Sequence, residues 1–195
     1  MNIKEYNHNG HTFLTVSNSK NLTITFCDYG ASVYAIKYKD NYVTYHPESY
    51  DEFIESKRMI IQSKRVYIAS TFMPAQIEIK DGKIEIDGKT YDLDKNEHGN
   101  TLHGGNTNFS FQIFNYEVNE NDETINVVFK FSSPAGECGF PADVNIIIVY
   151  AISKLSDKFK IHYHAMPDAA TPLNISSHIY WRLGGKDILK HTLSL

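Results

Sequence analysis

Along most of this chain apolar and polar residues alternate with period two, and Gly, Asn, Asp and Pro interrupt the alternation at short intervals. Successive side chains of a strand point to opposite faces, so the pattern predicts half-buried antiparallel strands. HTFLTVSN and NLTITFCD read as the first two. ASVYAIKYK and NYVTYH read as a hairpin turning at Lys39, Asp40 and Asn41. In QIEIKDGKIEIDGKTYDL, Ile77, Ile79, Ile84 and Ile86 alternate with charged residues, and Asp81-Gly82 and Asp87-Gly88 mark turns. FSFQIFNYEVNENDETINVVFKFSS reads as a strand pair turning at NENDE. DVNIIIVYAIS and KFKIHYHAM flank KLSDK, and SHIYWRL and ILKHTLSL close the sequence. Only SYDEFIESKRMIIQSK, residues 49–64, resembles a helix, and its apolar residues Phe53, Ile54, Met59, Ile60 and Ile61 form no clean stripe of period 3.6.

The expectation is therefore an all-β, antiparallel β-sandwich of roughly a dozen strands in one domain, residues 1–195. Composition fits this. Apolar residues make up 42% and aromatic residues 13%, more than a disordered chain carries. The formal net charge of -4 and the lack of a basic run argue against nucleic acid as a partner. No apolar run is long enough to span a membrane, and MNIKEYNHNG lacks the apolar core of a secretory signal. Cys27 and Cys138 form no CxxC and no disulfide framework. The cytoplasm is the expected location. HTLSL, a β-type run without a turn or polar tail after it, reads as a terminal edge strand or an interrupted fold.

Three histidines fall where loops are expected: His98 and His103 in NEHGNTLHGG, and His178 in NISSHIYWRLGG. Gly104-Gly105 permits a tight turn that can aim His103 into a cleft, although a hydrogen-bonded surface histidine fits the same pattern. His162 and His164 have the i, i+2 spacing of half a metal site, but nothing completes it, so no metal is expected. Glu137 and Asp143 in GECGFPADV read as members of a strand connection. Trp181 could cover the apolar face of a sugar or simply fill a core, and Arg182 could donate to ligand oxygens or face solvent. No nucleophile elbow, phosphate loop or dinucleotide fingerprint is present.

Three of these segments coincide with one family. TLHGG at 101–105, GFPADVNIIIVYAI at 139–152 and TPLNISSHIYWRLGG at 171–185 resemble, in order and spacing, the L-H-G-G, G-F/Y-P and T-P-x-N-x-x-x-H-x-Y-F-N-L segments of the aldose 1-epimerase (galactose mutarotase) family. YHPESYDEF and IDGKTYDLDKNEHGN look like the family's preceding regions. The resemblance implies the galactose mutarotase supersandwich and the interconversion of α and β anomers of a free hexose such as galactose or glucose, without a cofactor. By motif, His178 takes the place of the general acid toward the ring oxygen, and His103 that of the imidazole that binds and orients the sugar. Asn174, Trp181 and Arg182 become substrate-binding candidates. An imidazole's ordinary pKa near 6.5 suits such proton exchange.

The match has departures. It corresponds to the N-terminal part of the family, and no residue matches the family's catalytic glutamate or its sugar-binding aspartate. The C-terminal portion of the fold is thus expected to be absent from this sequence, leaving room for self-association or a complementing C-terminal half. Pro74 and Glu78 fall where the family commonly has arginines, with Arg65 or Arg182 as the available replacements, and Arg182 stands in for an asparagine. A catalytically inert carbohydrate-binding or structural role is the alternative. Action on phosphorylated hexoses would need a cationic clamp, for which Lys57, Arg58, Lys64 and Arg65 are the candidates, although a solvated charge run explains them equally well.

Overall fold

A computed structural model describes residues 2–60, 71–72, 78–183, 189–192 and 194. The chain opens with a five-stranded antiparallel meander: β1 (Asn2–His8), β2 (His11–Ser17), β3 (Leu22–Cys27), β4 (Ser32–Tyr38) and β5 (Asn41–Tyr42), paired in sequence order. Helix α1 (Tyr50–Ile60) follows. Then come β6 (Thr71–Phe72), β7 (Glu78–Ile79), β8 (Lys83–Ile86), β9 (Lys89–Asp92) and β10 (Thr101–Leu102). A second meander, β11 (Asn115–Glu120), β12 (Thr124–Ser133), β13 (Val144–Ser153) and β14 (Phe159–Pro167), forms a four-stranded antiparallel sheet, and β15 (Ser176–Ser177) closes the series.

Alternation places the core. Leu14 opposes Phe26 and Val16 opposes Ile24 across β2 and β3, and all four are buried. On the other sheet Ile125, Val127 and Phe129 oppose Ile152, Tyr150 and Ile148, again all buried. The two faces meet: the Phe26 ring lies 4.8 Å from Tyr150 and 6.1 Å from Phe129. The Tyr150 hydroxyl donates to the Ala31 carbonyl at 3.0 Å, which satisfies a phenol that would otherwise be costly to bury. Each such aliphatic side chain contributes roughly 1.5–3 kcal/mol by leaving water. On the opposite face of the first sheet Thr15 and Thr25 pair their hydroxyls at 3.0 Å, and Ser17 and Thr23 at 2.9 Å. The expected all-β sandwich is found.

The helix is real despite its weak stripe. The Ser49 hydroxyl accepts from the Glu52 amide at 3.1 Å, capping the N-terminus, and Asp51 and Glu52 set acids in the first turn. Its inward face is Phe53, Ile54 and Lys57, all buried. The lysine in the core row is what interrupts the apolar period. Its ammonium donates to the Tyr29 carbonyl at 2.5 Å, the Ser32 hydroxyl at 2.6 Å and the Ser110 carbonyl at 3.2 Å. Lys57 is thus not available to a phosphate clamp, and Lys64 and Arg65 lie outside the described residues.

Other expectations need correction. β1 was not expected, because its residues are almost all exposed. FSFQ is a short 3-10 turn at Phe109–Phe111 rather than a strand. β7 pairs with β10, not with its neighbour β8. SHIYWRL is a strand only at its first residue, Ser177, and the described residues of ILKHTLSL, 189–192 and 194, form no strand. No described helix is long and apolar enough to cross a membrane.

Candidate functional site

β6 and β7 each anchor one of two histidine loops. β6 pairs antiparallel with β15, Phe72 opposite Ser176 and Thr71 opposite Ser177, and the next residue is His178. β7 pairs with β10, Ile79 opposite Thr101 and Glu78 opposite Leu102, and the next residue is His103. The two imidazoles meet edge to face with ring centroids 6.1 Å apart.

The His103 loop is held by its own residues. Asn96 turns its side-chain amide on the backbone of Leu102, accepting from the amide at 2.6 Å and donating to the carbonyl at 3.0 Å. Thr101 donates its hydroxyl to the Asp94 carbonyl at 2.6 Å. His103 then adopts φ +52, followed by Gly104 at +90 and Gly105 at +101. A left-handed histidine costs conformational energy and persists because its surroundings hold it. At Gly105 a β-carbon would sit 2.7 Å from Cys138 Cβ, so the turn packs directly on the Glu137–Gly139 turn of the G-F-P loop. Phe140 and Cys138 form a small second core there with Leu93, against which Ile79 and Ile84 pack.

The His178 loop is held from the other side. The Tyr45 amide donates to the Tyr180 carbonyl and the Arg182 amide to the Val43 carbonyl, each at 2.8 Å, and Trp181 bridges Thr44. The Tyr180 ring lies 4.7 Å from His178, and partial burial raises its phenol above the ordinary tyrosine range.

The structure thus brings His103 and His178 together. Trp181 is 48% exposed, Arg182 is half-buried on the same segment, and Asn174 is exposed ahead of β15. Glu78 is exposed and accepts from Asn100 Nδ2 at 2.6 Å. Residues 73–77, with Pro74, and residues 184–185 lie outside the described residues. His98 is separate, 3.3 Å from Glu97 on an exposed turn. His162 and His164 lie on the exposed face of β14, and among the described residues no three His, Cys, Asp or Glu side chains gather into a metal-sized group. Glu137 accepts from Gln112 Nε2 at 2.9 Å and from the Ser133 hydroxyl, and Asp143 accepts from the Ala135 amide, so both acids fasten the loop. Sequence reasoning missed Asn96 and Tyr180. Tyr180 stands in the H-x-Y of the motif and could have been singled out there, whereas Asn96 carries no signal before the Leu102 pairing is known.

Comparison with known proteins identifies the family. The sequence model of the family described as aldose 1-epimerase matches residues 12–195. The bifunctional protein gal10 of Schizosaccharomyces pombe is 28% identical over 94% of this chain and 25% of its own length. The aldose 1-epimerase of Escherichia coli K12 is 26% identical over 95% of this chain and 52% of its own length. The crystal structure of galactose 1-epimerase from Lactobacillus acidophilus NCFM superposes with a TM-score of 0.81 at 17% identity, covering 94% of this chain and 53% of that one, a likeness of fold. The chain spans a quarter to about half of the length of these relatives. With residues 12–195 matched and the fold shared, the chain belongs to the aldose 1-epimerase family.

Proposed function

We propose that these residues form the imidazole side of a site that interconverts the α and β anomers of a free hexose such as galactose or glucose. The observation that carries the reading is the approach of His103 and His178 to 6.1 Å on two loops, one tied to β7 and the other to β6. In this reading His178 gives its proton to the ring oxygen while a base removes the proton of the anomeric hydroxyl. The C1–O5 bond breaks and the open-chain aldehyde forms. Rotation about C1–C2 presents the other carbonyl face, and the ring closes with both proton transfers reversed. His103 donates to a sugar hydroxyl and fixes the ring against His178. Trp181 covers the apolar face of the sugar, and Arg182 and Asn174 meet its hydroxyls. Such positioning and proton transfer need no covalent intermediate.

The base is a carboxylate on the far side of the sugar. No acid in this sequence matches the family's base by motif, and Glu137 and Asp143 are engaged in their loop. That observation favours, as a second reading, a domain that holds sugar without turning it over. Polarimetry on freshly dissolved α-D-galactose separates the two. Acceleration over buffer, reduced about 100-fold or more in His178→Ala, is the expected outcome and shows that the chain or its oligomer assembles a base. A buffer rate from a chain that still melts cooperatively overturns catalysis by this chain alone and leaves the sugar-holding reading.

A further inference from the structure

A second cleft, of about 480 Å³, opens between β1, the β4–β5 hairpin and the start of α1. None of its lining residues belongs to the histidine loops. Its walls are the rings of Tyr6, Tyr34, Tyr42 and Tyr50, and its rim carries Glu48 and Asp51. From this lining we propose that the cleft is a separate binding site for a neutral hexose unit.

The rings converge on one space. Tyr50 lies 5.7 Å from Tyr6 and 4.9 Å from Tyr34. Burial, with Tyr50 and Tyr42 adding to it, pushes the Tyr34 phenol up to about 12, and burial, with Tyr42 and Tyr6 adding to it, raises that of Tyr50. The Tyr34 and Tyr50 hydroxyls therefore keep their protons at neutral pH. Asp51 is built in: His8 Nε2 and Asn9 Nδ2 each hold its Oδ1 at 2.7 Å, which leaves Oδ2 as an acceptor. Glu48 is exposed beside it, its own amide donating to Glu52 Oε2 at 2.7 Å.

This chemistry selects the ligand class. Two carboxylates with no lysine or arginine in the lining reject an anion, including a sugar phosphate. Carboxylates and phenols are matched by a ligand rich in hydroxyl donors. A tyrosine ring offers a flat face to the C–H side of a pyranose, and Tyr6 is 54% exposed at the cleft, 5.7 Å from Tyr50. A quaternary ammonium would instead need several open ring faces. Here one face of Tyr50 is stacked on Phe13 at 3.8 Å, and Lys37 sits 4.5 Å over Tyr42. The volume lies within the ordinary range of small-ligand clefts, about 300–1,000 Å³.

The test uses methyl β-D-galactopyranoside and methyl β-D-glucopyranoside, whose locked acetals are not turned over. Each is titrated into the full chain while amide and tyrosine-ring NMR signals are followed. At least one glycoside is expected to shift Tyr6, Tyr42 and Tyr50, to do so unchanged in His178→Ala, and to bind roughly tenfold more weakly in Tyr6→Ala and Glu48→Gln. Both substitutions are at exposed positions, so the fold is retained. Shifts confined to the surroundings of His103 and His178 support the histidine site and overturn this one. No shift with either glycoside, or a response to tetramethylammonium alone, also overturns it, the last in favour of an organic cation.

Discussion

At the scale of single residues, His103 differs from His98, an exposed turn histidine that shares the left-handed backbone at φ +46, in the packing behind its turn. It holds φ +52, and the glycine after next leaves no room for a side chain against Cys138. Gly105→Ala forces a β-carbon to 2.7 Å from Cys138 Cβ at φ +101, so the Glu137–Gly139 turn or the histidine turn must move. A loss of about 1–3 kcal/mol in urea-induced unfolding is expected. Catalysis, where present, should fall more than stability predicts, because the shift displaces the imidazole itself. An unchanged unfolding midpoint would show that the turn relaxes freely. The two glycines make the turn itself legible in the sequence. Tyr180 is marked there by the H-x-Y of the motif and packs on His178, two residues before it. Asn96 is silent because its role exists only once the backbone of Leu102, six residues on, folds back to meet its side-chain amide.

At the scale of elements, α1 shows how a buried charge hides a helix from its hydrophobic pattern. Lys57 occupies the row of Phe53 and Ile54, and desolvation lowers its ammonium from the ordinary 10.5 to about 7, opposed by nearby Cys27 and Asp28. The unfolded chain therefore binds this proton more tightly than the folded one. Between about pH 7 and 10.5 the unfolded state carries more protons at this site, so the contribution of Lys57 to stability rises with pH. Below pH 7 the lysine is charged in both states and the full desolvation penalty remains. Cys27 acts in the opposite sense: burial pushes its thiol from 9.0 up to about 12, so above pH 9 the unfolded state loses that proton first and stability falls. The clean window is thus pH 7 to 9. Across it, the native chain should gain on Lys57→Met by up to about 1.4 kcal/mol per pH unit in urea unfolding. A pH-independent difference would mean that the three acceptors around Nζ hold the ammonium at its ordinary affinity. The same comparison of elements explains what period two could not reveal. β6, β7, β10 and β15 are two residues each, too short to alternate, and their partners are distant in sequence.

At the scale of the whole molecule, the two meanders, β1–β5 and β11–β14, share one interior. Ile24 on β3 and Ile148 on β13 are both 0% exposed and belong to one continuous cluster with Phe26, Phe129 and Tyr150. The alternation that predicts each sheet also predicts which face is inward, because a slip of one residue would turn every apolar side chain to water. It does not predict that the faces meet each other, which follows from the ring contacts between Phe26, Phe129 and Tyr150. Those contacts make the single-domain reading testable. If the interior is one body, Ile24→Ala and Ile148→Ala each leave a cavity in the same core and each cost about 2–5 kcal/mol. Both should then lower one shared thermal transition, seen at the same temperature by far-ultraviolet circular dichroism and by the fluorescence of Trp181, whose segment is hydrogen-bonded along 43–45 beyond the first meander. Two separated transitions, one moved by Ile24→Ala and the other by Ile148→Ala, would mean that the sheets melt as independent units. The His178 loop is tied to the first meander through 43–45 and follows directly from the second through β14, so only one cooperative body can keep both imidazoles at 6.1 Å up to the melting temperature.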